Sequence, residues 1–362
     1  MRKSGCSELS FFAIAVLMVL GFSHIGGATA AEPAKTRLAE MVKKAAQEGE
    51  IVYQGPDPSN ARPTQDMLRE MEAATEKHFG VKIKIKIDNA LSYPASTAKT
   101  LVEIKAGAPP TFDLMYQTEL SGVPLYKDRA LEPIPWIELF PHITAKDLEW
   151  NGQAVIRSSY VLAPVYNTRL VKPQDVPKKW EDFLNSKWKG KLGMPIYPDP
   201  WMILSQPDAW GEERTLSYLK KLMENNPKLG RYPEVHERVL SGETVIAWMS
   251  ERERTLDAKE RLKAPVDVAG EVEPAILQTN ALCVPKGARR PNAAALVAAA
   301  MLTKEGQDLE LKYRNLSSAW RPSTPAAEFV SRHKVVRVNV DFIVTEGGEL
   351  SKKFQEIIMK KK

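Results

Sequence analysis

Catalysis needs a nucleophile with a base, paired acid–base groups, a metal set or a phosphate cradle at defined spacing. The 362-residue chain has no G-x-S-x-G, no H-E-x-x-H, no Walker-type phosphate loop and no C-x-x-C. His236-Glu237 lacks a second histidine four residues on, and His78, His142 and His333 stand in unrelated contexts, so no metal cluster is expected. An enzyme is the rival class here, not the expectation, and no cofactor is called for. What the chain does carry is recognition chemistry. Trp201 and Trp248 have rings able to stack on a planar ligand or to pack a core. Asp57 and Asp199 each lie between two prolines, the usual setting of a turn residue.

Elements that must position such groups alternate along the chain. After Gly49, Ile51–Gln54 reads as a strand, a helix runs on to Gly80, and Val81–Ile87 (VKIKIKI) alternates strictly as a strand. Helix Ala95–Lys105 and strand Phe112–Tyr116 follow. A second series begins with strand Val161–Tyr166. It continues with helix Pro177–Leu184, strand Lys191–Pro195, two helices, strand Thr244–Met249, helix Glu251–Leu262 and strand Val266–Val268. Strand–helix alternation predicts parallel sheets with right-handed crossovers, here in two lobes. Two extended apolar segments, Ala154–Val165 and Pro274–Val284, read as crossings between the lobes.

The N-terminus predicts the compartment. Arg2 and Lys3 precede the apolar run Phe11–Phe22, which falls short of the roughly 20 residues that span a bilayer. Ala28-Thr29-Ala30 completes a secretory signal peptide, cut after Ala30 or Ala31. Cys6 precedes the apolar run, which excludes a lipoprotein. Cys283, alone in the mature chain, can form no internal disulfide, so the exported protein must stand on its core. The net charge of +6 is spread among interspersed acidic residues. That pattern, with export, argues against nucleic acid and towards an anionic ligand or surface.

Several segments then fall into a familiar order: Val165-Tyr166-Asn167-Thr168, Trp180-Glu181-Asp182-Phe183-Leu184, Trp188-Lys189-Gly190-Lys191-Leu192, Gly242-Glu243-Thr244 and Thr303-Lys304-Glu305-Gly306-Gln307. In these the chain resembles bacterial extracellular solute-binding proteins, the periplasmic receptors of ABC importers. The group concerned includes ferric-iron-binding proteins and receptors for small anions and polyamines. The resemblance implies a type 2 periplasmic-binding-protein fold: two α/β lobes, each a mostly parallel sheet flanked by helices, joined by a two-strand hinge. The expected division is a signal peptide over 1–30, one lobe from 32–158 and 279–315, a second lobe over 161–275, and a C-terminal segment, 316–362, packing across both. Trp180 and Trp188 are expected in the packing of the second lobe.

The resemblance also implies function: capture of a small solute in the interlobe cleft and delivery to an inner-membrane permease and its ATPase. The receptor would be monomeric and periplasmic, without nucleic acid or enzymatic turnover. Cleft candidates are Gln54, Asp57, Tyr116, Ser158, Ser159, Tyr160, Asp199, Trp201, Trp248, Ser250 and Arg252. Ferric relatives place paired tyrosines after the strand that reads TVIAWMS here, where this chain has Arg252-Glu253. The departure argues against tyrosinate iron and for an anion held by Arg252 with Ser250. A solvated charge is the other reading of Arg252, and turn residues the other reading of Ser158 and Ser159. An aspartate pair facing an ammonium ligand, a ferric receptor lacking the tyrosine pair, and a sensor uncoupled from transport are the remaining alternatives.

Overall fold

The computed structural model describes residues 31–56 and 65–360. The apolar run Phe11–Phe22, the A-x-A site and Asp57 lie outside those residues. In chain order the first elements are α1 (Ala31–Glu48), β1 (Glu50–Gln54), α2 (Gln65–Phe79), β2 (Lys84–Ile87), α3 (Tyr93–Lys105), β3 (Leu114–Thr118), α4 (Val123–Lys127), α5 (Trp136–Leu139) and β4 (Leu148–Glu149). Then come β5 (Ala154–Asn167), β6 (Leu192–Pro195), α6 (Asp199–Leu204), α7 (Glu212–Glu224), β7 (Lys228–Gly230), α8 (Tyr232–Ser241), β8 (Ile246–Glu251), α9 (Arg252–Arg261) and β9 (Val266–Val268). The chain finishes with β10 (Ala275–Cys283), α10 (Pro291–Ala300), α11 (Lys304–Arg314), α12 (Pro325–Arg332), β11 (Val335–Val336) and α13 (Val340–Met359).

The strands lie in the order β2-β1-β3-β10-β5-β8-β6-β7. β1 runs parallel to β2 and β3, and β6 runs parallel to β7 and β8. Between these parallel halves stand β10 and β5, antiparallel to each other; β10 is antiparallel to β3, and β5 to β8. These are the two apolar crossings expected from the sequence. Every residue of β10 is buried, and of the 14 residues of β5 only Tyr160 and Tyr166 are partly exposed. Cover on both faces explains why both strands read as continuous apolar runs with no alternation.

Each half has its own core. Around β1 and β3, Ile51, Tyr53 and Leu114 meet Met67 and Met71 of α2 and the buried alanines of α10. Small side chains let α10 approach α1 and α2 closely. Around β6 and β8, Trp180, Trp188, Trp201 and Trp248 pack with Leu219 and Leu222 of α7 and with Leu350, Phe354 and Ile358 of α13.

Some expectations need correction. Pro177–Leu184 is not an α-helix; a 3-10 turn over Trp180–Leu184 presents the same aromatic face. The alternating Val81–Ile87 pairs only over β2. Lys228–Gly230, not foreseen as a strand, pairs with β6 along the sheet edge. The 20-residue α13 was also unforeseen; it packs on α6 and α7 and touches α4.

Candidate functional site

The parallel strands of both halves end on one cavity of about 740 Å³. One wall is the start of α3, with Tyr93, Pro94 and Thr97, and the turn after β3, with Thr118, Leu120 and Ser121. The facing wall is formed after β6 by Tyr197 and Asp199, after β7 by Arg231 and Tyr232, and at the end of β8 by Glu251. Tyr160 of β5 and Gln278 of β10 form the floor, and α13 closes one side with Ile343, Gly347, Gly348 and Ser351. Strand C-termini and helix N-termini converge there, as in other open α/β sheets.

Tyrosine followed by proline recurs three times at this cavity: Tyr93-Pro94, Tyr197-Pro198 and Tyr232-Pro233. The local reason is shared. A strand ends, the tyrosine turns the chain over the cavity, and the proline pre-sets φ for the first helical turn. In α3 and α8 the proline lies at the helix start. The Tyr197 and Tyr232 rings stack with centroids 5.3 Å apart. Tyr160 donates its hydroxyl to Gln278 Oε1, which fixes that ring on the floor. The buried Tyr232 hydroxyl has no hydrogen-bond partner among the described residues.

Charge in the cavity is mainly negative. Burial pushes the Asp199 carboxyl up to about 6, opposed only by its own backbone N–H. No cationic side chain pairs with it among the described residues. Glu251 takes Arg254 as its partner, 3.3 Å away. Burial, and then the neighbouring Glu251 and Asp199 carboxylates, hold the phenols of Tyr160 and Tyr232 well above their usual range. Both are therefore neutral hydroxyls at physiological pH. The cationic residue lining the cavity, Arg231, is exposed and bonded to Glu234 at 2.9 Å.

Of the residues expected to form the site, Tyr160 and Asp199 line the cavity. Gln54 is buried behind the wall and acts through Gln117, whose Nε2 donates to Gln54 Oε1 at 2.7 Å. Gln117 Oε1 in turn accepts from Ser121 and Thr97, which face the cavity. Tyr116 and Ser158 belong to a buried network around Glu310, which pairs with Arg157 at 2.8 Å and with Arg314 at 2.5 Å. That network ties α11 to β5 and β3. Ser159 faces the other way and accepts from the Ala319 backbone N–H. Trp201 and Trp248 are fully buried and stack on each other, centroids 4.0 Å apart and planes 4° apart. Ser250 is buried in β8 without reaching the cavity. Arg252 lies outside it, over the Phe329 ring and 3.1 Å from Glu253.

The residues outside the cavity have a simple geometry. Trp248 and Ser250 lie in the part of β8 buried on both faces, and the cavity begins at Glu251, where the strand ends. Tyr116 lies one strand repeat below Thr118. The signal passed over in the sequence was the repeated Tyr-Pro after strands. For Gln278 and α13 the sequence carries no comparable sign.

A family of bacterial extracellular solute-binding proteins matches residues 70–334, and the chain belongs to it. Solved structures agree in fold. The Atu4243-GABA receptor aligns at 15% identity over 86% of this chain and 98% of its own, with a TM-score of 0.66. Iron-bound HitA from Pseudomonas aeruginosa aligns at 16% identity over 84% and 98%, with a TM-score of 0.61. The substrate-binding protein of an ABC transporter from Agrobacterium tumefaciens aligns at 15% identity over 87% and 96%, with a TM-score of 0.66. No curated protein matches the chain. The fold is thus that of type 2 periplasmic binding proteins, and the protein is a solute-binding protein. Among the described residues no helix is long and apolar enough to cross a membrane, and no group of three His, Cys, Asp or Glu is placed to hold a metal.

Proposed function

We propose that the protein is a periplasmic receptor that captures a small, positively charged amine in the interlobe cavity and delivers it to an inner-membrane ABC permease. The observation that carries this reading is Asp199: a carboxylate taken partly out of water, without a cationic partner among the described residues, beside Tyr160, Tyr197 and Tyr232. Such a carboxylate is stabilised by an incoming ammonium group, and tyrosine faces attract the same cation. The anion reading rested on Arg252, which stands outside the cavity, and Arg231 is already bonded to Glu234.

Ligand held between the two walls favours the closed arrangement, with β5 and β10 as the hinge about which the parallel halves approach. In this reading the two sides of the hinge are 32–158 with 279–315, and 161–275.

A ferric ion is the second reading, because tyrosines and carboxylates share the cavity. The neutral phenols and the cavity's extent favour an organic cation. A thermal-shift series with chain-matched alkylamines and alkylcarboxylates, and with ferric citrate, separates the three. The amines are expected to raise the melting temperature, since ligand at 100 times its dissociation constant stabilises by about 2.7 kcal/mol. Stabilisation by carboxylates alone would restore the anion reading. A visible phenolate-to-iron band with ferric citrate would establish the metal.

A further inference from the structure

We infer that the solute carries an apolar chain behind its charged head, and that Gly347 and Gly348 of α13 set how long that chain can be. The inference rests on the cavity being the binding site proposed above and deepens that reading. Besides Asp199 and the tyrosines, the cavity is lined by the apolar side chains of Leu101, Leu120, Val123, Met202 and Ile343 and by the two glycines. A metal ion or a compact ammonium group would leave most of its 740 Å³ unfilled.

The two glycines stand in the middle of a 20-residue helix. Helix-interior glycine is disfavoured relative to alanine, so two in succession call for a local reason. Backbone conformation does not supply one, because neither has a positive φ. Crowding does not require both. A Cβ on Gly348 would meet nothing within 4 Å, and one on Gly347 would approach only the Ile343 side chain of the same helix, at 3.0 Å. Gly347 is buried and Gly348 is exposed, and together they leave open space along the side of α13 that lines the cavity. Ile343, Gly347 and Ser351 repeat at i, i+4 and i+8, so this face is continuous along the helix. Apolar walls around open space suit methylene groups and offer nothing to a second charge.

The test is calorimetric titration with n-alkylamines from ethylamine to octylamine. In wild-type protein each added methylene is expected to tighten binding roughly three- to fourfold until the space is filled. Gly348→Leu is expected to abolish that gain, so that octylamine binds no more tightly than ethylamine does. Gly348→Ala should shorten the series by a step or two. Both substitutions favour helix, so their melting temperatures should equal or exceed the wild type, which separates blocked space from lost folding. Wild-type affinity that does not change with chain length would overturn the inference, as would Gly348→Leu binding octylamine as wild type does. Chain-matched alcohols and carboxylates run alongside. A length gain in those series but not with amines would sink the amine head while keeping the chain compartment. No gain in any series would sink the compartment itself.

Discussion

Asp199 is held in a state of conflict. Its position after β6 takes it partly out of water, yet among the described residues no guanidinium or ammonium group pairs with it. Raising its pKa from 3.8 to about 6 means that the folded protein binds a proton there more tightly than the unfolded chain does. Stability from this group is therefore greatest at low pH and is lost as pH rises through 6. A cationic ligand at Asp199, as proposed above, would reverse that loss. His236, which is not part of the cavity lining, shows the opposite case. It is 2% exposed, its Nδ1 has no partner, and burial lowers it to about 4. Folding favours the neutral ring, so this stability is present above 6.5 and lost as pH falls towards 4. The lowered value corresponds to about 3 kcal/mol at most. Urea unfolding at pH 7.5 and 4.5 should show that loss in wild type and a smaller one in His236→Gln; equal losses would contradict it. Asp199 and Tyr160 were legible in the sequence as polar residues after or within predicted strands. Tyr197 and Tyr232 were equally visible there, but only as Tyr-Pro pairs whose common setting emerges when strands and helices are joined.

Position along the strand decides which side chains reach the cavity. Ile246 to Ser250 are buried on both faces of β8, and Glu251, at the strand end, lines the cavity. Residue type alone cannot tell these apart, since tryptophan and serine suit either place, and one residue along the chain separates cleft from core. Trp248 shows what the buried part of β8 does. It stacks on Trp201 and meets Trp180 with centroids 5.5 Å apart, so the three rings hold β8, α6 and the Trp180–Leu184 turn together. Trp248→Ala is expected to destabilise the protein by about 3–5 kcal/mol, the range for emptying a buried large aromatic site. Denaturant titration checks this; a change below about 1 kcal/mol would mean that the stack is not central to this half. The elements that escaped the sequence are those whose signal is short or broken. β7 has three residues, and α13 carries Gly347-Gly348 where a helix pattern would be sought.

At the scale of the whole molecule, the parallel halves are joined through two antiparallel strands, and this arrangement was readable from the alternation of elements and the two apolar crossings. The hinge is stiff along β5 and β10 because backbone pairing runs between Leu162↔Ile276 and Val155↔Leu282. Its register shifts between Asn280 and Ala281, where the ladder is locally broken. Closure is expected to turn about these strands, and small-angle scattering should give a smaller radius of gyration at saturating alkylamine than without it. An unchanged radius at saturation would contradict hinge closure.

The central claim is that Asp199 receives the positive charge of the solute. Calorimetric titration of hexylamine into wild type and Asp199→Asn, at pH 8 and again at pH 5, tests it most directly. Wild-type binding should be tight at pH 8 and weaken at pH 5, where the carboxyl takes up its proton. Asp199→Asn should bind roughly 10- to 150-fold more weakly at pH 8, the equivalent of about 1.5–3 kcal/mol for a charged hydrogen bond, and should lose most of the pH dependence. The unliganded variant should be at least as stable as wild type at pH 8, because it no longer carries a partly buried charge. Equal affinity of the two proteins at pH 8, with the same fall at pH 5, would contradict the account.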